Sequence, residues 1–339
     1  ASKGIRGRAD LAMSSLSREA REHTRQISLY TTLITSNDYQ ELVESVAEVE
    51  RALRASPLSA DQLLHQAFVA GWTMMRLRYN PRSAVKLLSA ALYGAQATHN
   101  SVIAARVSAN LAFALSFAGE FTKSKALLSQ ITHDEAEAGR TFDHFEGGAD
   151  SMAAQLAAYW QGDIEKSVAY GKELIAFGGP AFSNATLGRV FLGMAAAYVQ
   201  DSALWDESLE LTKAIPDINA HGVPWPAYKA IAGAYVHWAR GEKSAAINTL
   251  GSIRRGESMT TTWVLSADLW RRLDFPDQAL ASLALIDPET HVNYTGASHY
   301  FTLAAITFAR GDKEAAHNML EKSLDYAEPE GVGAPYVAL

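Results

Sequence analysis

The stretches VHWARGEKSAAINTL at 236–250 and ITFARGDKEAAHNML at 306–320 lie 70 residues apart and agree at eight of fifteen positions, with Gly241 and Gly311 in register. The same frame recurs as ALSFAGEFTKSKALL around Gly119 and AAYWQGDIEKSVAYG around Gly162. In each, an apolar helical segment runs into a Gly-acid turn and then into a second, amphipathic segment, so the repeating unit is a helical hairpin. One hairpin leaves an apolar face uncovered until a neighbour stacks on it, and a row of them forms a solenoid that presents surface.

The spacing shows where further units fit. Gly119 to Gly162 spans 43 residues, whereas Gly162 to Gly241 spans 79 and Gly241 to Gly311 spans 70. Each longer gap has room for one more hairpin. FLGMAAAYVQDSALWDESLELTKAI at 191–215, turning at an Asp-Ser pair, fills the first, and SADLWRRLDFPDQALASLALI at 266–286, turning at Phe275-Pro276-Asp277, fills the second. Upstream, GWTMMRLRYNPRSAVKLLSAAL at 71–92 turns at Asn80-Pro81. About seven hairpins are therefore expected between Gln62 and Ala327, with helices over 1–61 and an exit segment over 328–339, all in one continuous domain.

The residue types at the turns have a physical reason. Glycine after a helix takes the left-handed conformation that closes its C-terminus, and an acid after it sits where the dipole of the next helix favours negative charge. Gly119-Glu120, Gly162-Asp163, Gly241-Glu242 and Gly311-Asp312 all follow this order. Five residues beyond each glycine stands a small residue, Ser124, Ser167, Ala246 or Ala316, which lets the two helices approach closely. This resembles the tetratricopeptide repeat, whose alanine has that role. The expected fold is an all-α, right-handed superhelix of stacked, tetratricopeptide-like hairpins.

Composition agrees with that fold. The chain has 339 residues, 48% of them hydrophobic, with 23 Gly and 10 Pro, and no run shows the alternation of a strand. Cysteine is absent, which excludes a disulfide frame, a thiolate nucleophile and a cysteine zinc site. Apolar runs are broken by charges well before a membrane-spanning length, and no signal peptide is visible, so the cytosol is the expected compartment. A net charge of −7 argues against a broad nucleic-acid footprint. Only the N-terminal segment is locally basic, with Lys3, Arg6, Arg8, Arg18, Arg21 and Arg25 against Asp10, Glu19 and Glu22, and it reads as a solvated start.

Catalytic and cofactor motifs are missing. GEFTKS at 119–124 is a hairpin turn with an accidental Lys-Ser, since no G-x-x-x-x-G-K-[ST] precedes it, and neither G-x-G-x-x-G, H-E-x-x-H nor G-x-S-x-G occurs. No enzyme and no cofactor are expected. His133, Asp134, Glu135, Glu137, Asp143, His144 and Glu146 gather ligand-type side chains, but their spacing fits no metal frame and reads as a polar connection. His237 and His299, inside apolar helices, read as core residues.

The chain closes on MLEKSLDYAEPEGVGAPYVAL, in which Ala327-Glu328-Pro329-Glu330-Gly331 is followed by Ala334-Pro335-Tyr336. This resembles the segment that ends the tetratricopeptide-like domain of the large ATP-dependent LuxR-type transcriptional regulators, the family of the maltose-regulon activator, where A-x-P-E-G-Y-x-R-P-F is typical. Val332 stands in place of the usual aromatic and Ala334 in place of the arginine. The resemblance implies a superhelix that receives an inducer, here without the family's NTPase and helix-turn-helix modules. Its partners would be a small-molecule inducer or short peptide and the other modules of the parent regulator, with no direct contact to nucleic acid or membrane. The alternative is a free-standing scaffold or adaptor that docks a peptide in its groove.

The repeat register predicts which side chains face that groove. Positions 3, 6, 10 and 13 before each glycine give Trp238, Tyr235, Ile231 and Tyr228; Tyr159, Leu156, Met152 and Ala149; Ser116, Phe113, Ala109 and Arg106; and Phe308, Ala305, Phe301 and Ser298. The candidate ligand-binding set is Arg106, Phe113, Tyr159, Tyr228, Tyr235, Trp238, Phe301 and Arg272, the arginines as anion partners. Aromatic rings exposed along an open, concave channel would call for a partner to cover them.

Overall fold

Alternation of strongly apolar and sparsely apolar helices sets the architecture of this protein, described from a computed structural model. The structure describes residues 38–55, 60–77, 81–131, 148–178, 183–220, 223–254 and 259–337, with positions 29 and 32. The basic N-terminal segment and the polar connection at 133–146 lie outside the described residues. Packing divides the chain into two compact units, Ala1–His99 and Asn100–Leu339.

In the first unit, helix α1 (Tyr39–Ala55) packs on α2 (Ala60–Leu77), and α2 pairs with α3 (Pro81–Ala97) as a hairpin. Leu42, Val46 and Val49 recur on one face of α1, as Ala84, Leu87, Leu88, Ala91 and Ala95 do on α3, which gives each helix a single buried stripe. Pro81 opens α3 at a position where a missing N–H costs nothing.

The second unit contains six hairpins among the described residues. They are α4 (Ser101–Phe117) with α5 (Phe121–Leu128), α6 (Ala149–Gln161) with α7 (Ile164–Phe177), and α8 (Asn184–Ala196) with α9 (Ser202–Thr212). They continue as α10 (Trp225–Ala239) with α11 (Lys243–Leu250), α12 (Thr260–Arg272) with α13 (Pro276–Leu283), and α14 (Asn293–Ala309) with α15 (Lys313–Ala327). Every hairpin expected from the sequence is present, and among the described residues the only extended pairing is the isolated bridge Ala220–Val223. Among the described residues both units are all-α, and the second is an array of stacked, tetratricopeptide-like hairpins.

The first helices stack in chain order, α4 on α6, α6 on α8, α8 on α10, α10 on α12 and α12 on α14, and make an inner wall. They are buried over most of their surface: in α8 every residue but Arg189 is buried. The second helices bury a narrow stripe only, such as Ala246 and Leu250 of α11 or Ser167, Gly171 and Leu174 of α7, and turn their remaining faces outward.

The four turn glycines have φ of +80° (Gly119), +82° (Gly162), +73° (Gly241) and +94° (Gly311), the left-handed conformation that closes a helix. The acid after each glycine divides by length. Asp163 and Asp312 cap Lys166 N and Ala315 N, whereas Glu120 and Glu242 make no side-chain cap. The α12–α13 turn uses a non-glycine residue in the same role. Asp274 has φ +67°, and Phe275 N donates to Trp270 O at 2.9 Å, as Glu242 N does to His237 O. Counting five residues on from Asp274 reaches Ala279, fully buried like Ser124, Ser167 and Ala246.

The inner wall closes on itself. At the start of α14, Asn293 Nδ2 donates to Gly119 O at 3.1 Å and the Tyr294 hydroxyl donates to Phe117 O at 2.9 Å. The Tyr294 ring stacks on Trp160 at 4.5 Å and on Phe121 at 6.0 Å. The last hairpin of the unit is thereby seated on its first two.

Candidate functional site

The center of the inner wall is polar. Asp268, on α12 and 8% exposed, accepts from Arg271 Nη2 at 2.6 Å through Oδ1, and from Arg272 Nε at 2.8 Å and the Tyr235 hydroxyl at 3.1 Å through Oδ2. The Arg272 guanidinium lies between two aromatic rings, 5.3 Å from the centroid of Tyr198 and 5.1 Å from that of Trp238. Arg271 lies over Phe301 at 5.5 Å. Tyr198, in the turn after α8, ties Tyr159 of α6 into the cluster through their hydroxyls.

Charge and burial oppose each other here. Burial would raise the Asp268 carboxyl, yet the Arg272 and Arg271 charges outweigh it and hold the group below the ordinary carboxylate range. Arg272 is held above its usual range by the same partner, against the burial that would lower it. Burial also pushes the hydroxyls of Tyr159, Tyr198 and Tyr235 upward, so at neutral pH the cluster is one carboxylate, two guanidiniums and three neutral phenols.

Of the candidate residues, the fold gathers Tyr159, Tyr235, Trp238, Arg272 and Phe301 around Asp268. Phe113 packs on Phe117 at 6.4 Å, the Tyr228 hydroxyl meets Met259 S at 3.8 Å, and Arg106 is half-buried near the start of α4. The expectation of an open channel is corrected by burial: Phe113 is 1%, Tyr159 2%, Tyr228 2% and Tyr235 1% exposed. Packing between consecutive hairpins is the reason: Tyr159 meets Phe191 of the next first helix at 5.4 Å, Tyr235 bonds Asp268 and Tyr228 meets Met259. Tyr198, Asp268 and Arg271 were missed. The last two occupy positions 6 and 3 before Asp274, but that turn has no glycine to count from.

The exit segment lies against the same wall. Residues 328–330 and 334–336 form two short 3-10 turns separated by Gly331, whose φ is +64°. Gly333 N donates to Trp160 O at 2.9 Å, Gln161 Nε2 donates to Glu330 O at 2.8 Å, and Thr122 N donates to the Glu330 carboxylate at 2.7 Å. Arg272 Nη2 reaches Val337 O at 3.4 Å, the Tyr336 hydroxyl lies 2.6 Å from Ser323 Oγ, and the Tyr336 ring stands edge-on to Phe301 at 5.0 Å.

Two other features stand apart from this cluster. A cavity of about 230 Å³ opens between the end of α11 and the α12–α13 hairpin, lined by Leu250, Ile253, Trp263, Trp270 and Leu285 among others. Beside α14, His291 and His299 are buried with their rings 4.8 Å apart, next to Tyr300 and Tyr326. Burial lowers both imidazoles, His299 to about 4, with His291 adding to the effect there and Asp287 opposing it at His291. Among the described residues no group of three or more His, Cys, Asp or Glu could hold a metal ion, and no helix is long and apolar enough to cross a membrane.

Among solved structures, the chain is similar to a tetratricopeptide repeat protein from Parabacteroides merdae, with 14% identity over 81% of this chain and all of that one, at a TM-score of 0.47. No protein-family model and no curated protein matches it.

Proposed function

We propose that this chain is a binding module, an interaction scaffold that senses a small-molecule inducer or short peptide at its inner wall. The ion cluster around Asp268 carries the reading. Replacing a buried ion pair by well-packed apolar residues is often neutral or stabilising, so stability alone gives little reason for a carboxylate and two arginines among apolar helices. A ligand that meets Arg271, Arg272 and the surrounding rings gives one. The parent protein in this reading is a LuxR-type transcriptional regulator, supported by the Ala327-Glu328-Pro329-Glu330-Gly331 segment, and its compartment is the cytoplasm. No catalysis, cofactor, membrane contact or direct nucleic-acid contact is assigned to the chain. An adaptor that docks a peptide on the same wall is the second reading, favoured by how the exit segment is held.

Titration of candidate inducers and peptides against tryptophan emission tests the site. The chain has seven tryptophans, so the Trp238 signal is taken as the difference from a Trp238→Phe variant. Binding is expected to change that signal, and Tyr235→Ala or Trp238→Ala to weaken affinity by about 1 kcal/mol or more. Unchanged affinity in folded variants would move the site to the cavity beside Trp263 and Trp270. Coding sequence for a phosphate loop and a helix-turn-helix flanking this chain would favour the regulator over the adaptor, and sub-micromolar binding of ATP or specific duplex DNA by the chain itself would overturn both.

A further inference from the structure

The exit segment is held in the manner of a bound peptide. Its contacts with the wall fall at three separated points. At the first, the Glu330 carboxylate accepts from Thr122 N in the opening turn of α5, beside Lys123, while the Glu330 carbonyl accepts from Gln161. In the middle, Gly333 donates its N–H to the Trp160 carbonyl, at an approach only glycine allows, since a Cβ there would lie 2.6 Å from Gln161 O. At the third, the Tyr336 ring meets Phe301, its hydroxyl pairs with Ser323, and the Val337 carbonyl faces Arg272. Between these points the segment buries only the small side chains of Val332, Ala334 and Pro335, while Glu328, Pro329 and Gly331 stay exposed.

Such a pattern is sparse in buried apolar area and rich in main-chain hydrogen bonds. Contacts to its main chain hold the turned segment with little regard to side chain, and the end anchors give selectivity. We propose that the inner-wall surface beneath residues 330–337 is a peptide-binding surface for an acidic-aromatic segment, a carboxylate six residues ahead of an aromatic ring, and that the chain's own exit segment occupies it in cis. This deepens the binding-module reading and rests on it. The tether supplies the exit segment at an effective concentration in the millimolar range, so a free peptide of the same chemistry competes poorly until the segment is displaced.

A labelled synthetic peptide, EPEGVGAPYVAL, covering 328–339, tests the proposal on the whole 339-residue chain. Wild type is expected to bind it weakly because the site is filled. In Gly333→Ala the added methyl expels the exit segment, while the peptide keeps its glycine, so affinity is expected to rise at least tenfold. Peptides in which Glu330 is replaced by Gln or Tyr336 by Ala are expected to lose at least fivefold. Equal binding by wild type and a folded Gly333→Ala variant, or no loss with the altered peptides, overturns the proposal. Hydrogen exchange of the wild-type protein decides the case if Gly333→Ala does not fold. The amides of Val332 and Gly333 should open at least tenfold more readily than those of α6, and protection equal to α6 makes the segment a fixed part of the fold and ends the idea. A foreign peptide or inducer that changes Trp238 emission, in a protein that ignores EPEGVGAPYVAL, leaves the binding-module reading in place and removes self-occupancy alone.

Discussion

The two polar clusters of the inner wall solve the same problem in opposite ways. Around Asp268 the charges are kept, because each buried ion has an opposite charge within hydrogen-bond reach. Around His291 and His299 they are given up: both ring nitrogens of His291 and Nδ1 of His299 lack a partner among the described residues, so burial holds the imidazoles neutral. What decides whether a buried group stays ionised is the neighbour the fold supplies, more than the depth of burial.

The sharpest way to break the contrast is Asp268→Asn. It leaves Arg272 buried without its counter-charge, and a loss of about 3–5 kcal/mol in urea unfolding is expected. A loss under 1 kcal/mol would mean that the arginines already find solvent.

Acid should separate the clusters by pH. In the unfolded chain the imidazoles titrate near 6.5, so between that value and their lower folded values the unfolded state binds more protons. The stabilisation is complete above about pH 6.5 and fades as pH falls toward 4, by about 3 kcal/mol from His299. At His291 the Asp287 charge opposes this effect. The Asp268 contribution, from a carboxyl held below its ordinary 3.8, persists until lower pH still. Urea midpoints at pH 7.0 and 4.5 should fall for wild type and fall less for His299→Leu; the same drop in both would assign the acid sensitivity to other groups.

Tyr235→Phe removes one hydrogen bond to the carboxylate and keeps the ring, so a loss of about 1.5 kcal/mol is expected, measured by the same unfolding. A combined Tyr235→Phe and Asp268→Asn variant should lose less than the sum of the two. Smallest is Gly311→Val, in a turn that neither cluster touches and where an added Cβ meets nothing within 4 Å. Its cost, about 1 kcal/mol, comes from the left-handed φ alone and measures backbone strain against which the cluster effects stand out.

Hairpins and turns were legible in the sequence because they are written locally. Gly119, Gly162, Gly241 and Gly311 each announce a left-handed turn, and the small residue five positions on announces a close helix pair. The register also drew Tyr159, Tyr235, Trp238 and Phe301 to one surface, and the turn at Phe275 added Arg272. It could not show that this surface is covered, since the exit segment lies on it through contacts such as Tyr336 on Phe301 and Glu330 on Thr122, the latter 208 positions apart. No periodicity carries a contact of that range. Asp274 hid for a different reason: left-handed aspartate costs more than glycine and is rarer, so the turn that places Asp268 and Arg271 gave no countable mark.

The seat of Tyr294 on Phe117 also bears on how the molecule comes into being. A linear array of repeats grows from any nucleus and frays from either end, whereas the second unit, whose last hairpin clasps its first, is expected to melt as one. During synthesis the residues between the two partners take roughly 9–35 s to emerge at about 5–20 residues per second. Over nearly all of that interval the apolar ring of Phe121 waits uncovered for Tyr294, joined later by Trp160, and the nascent chain is most open to aggregation or to a chaperone's grip.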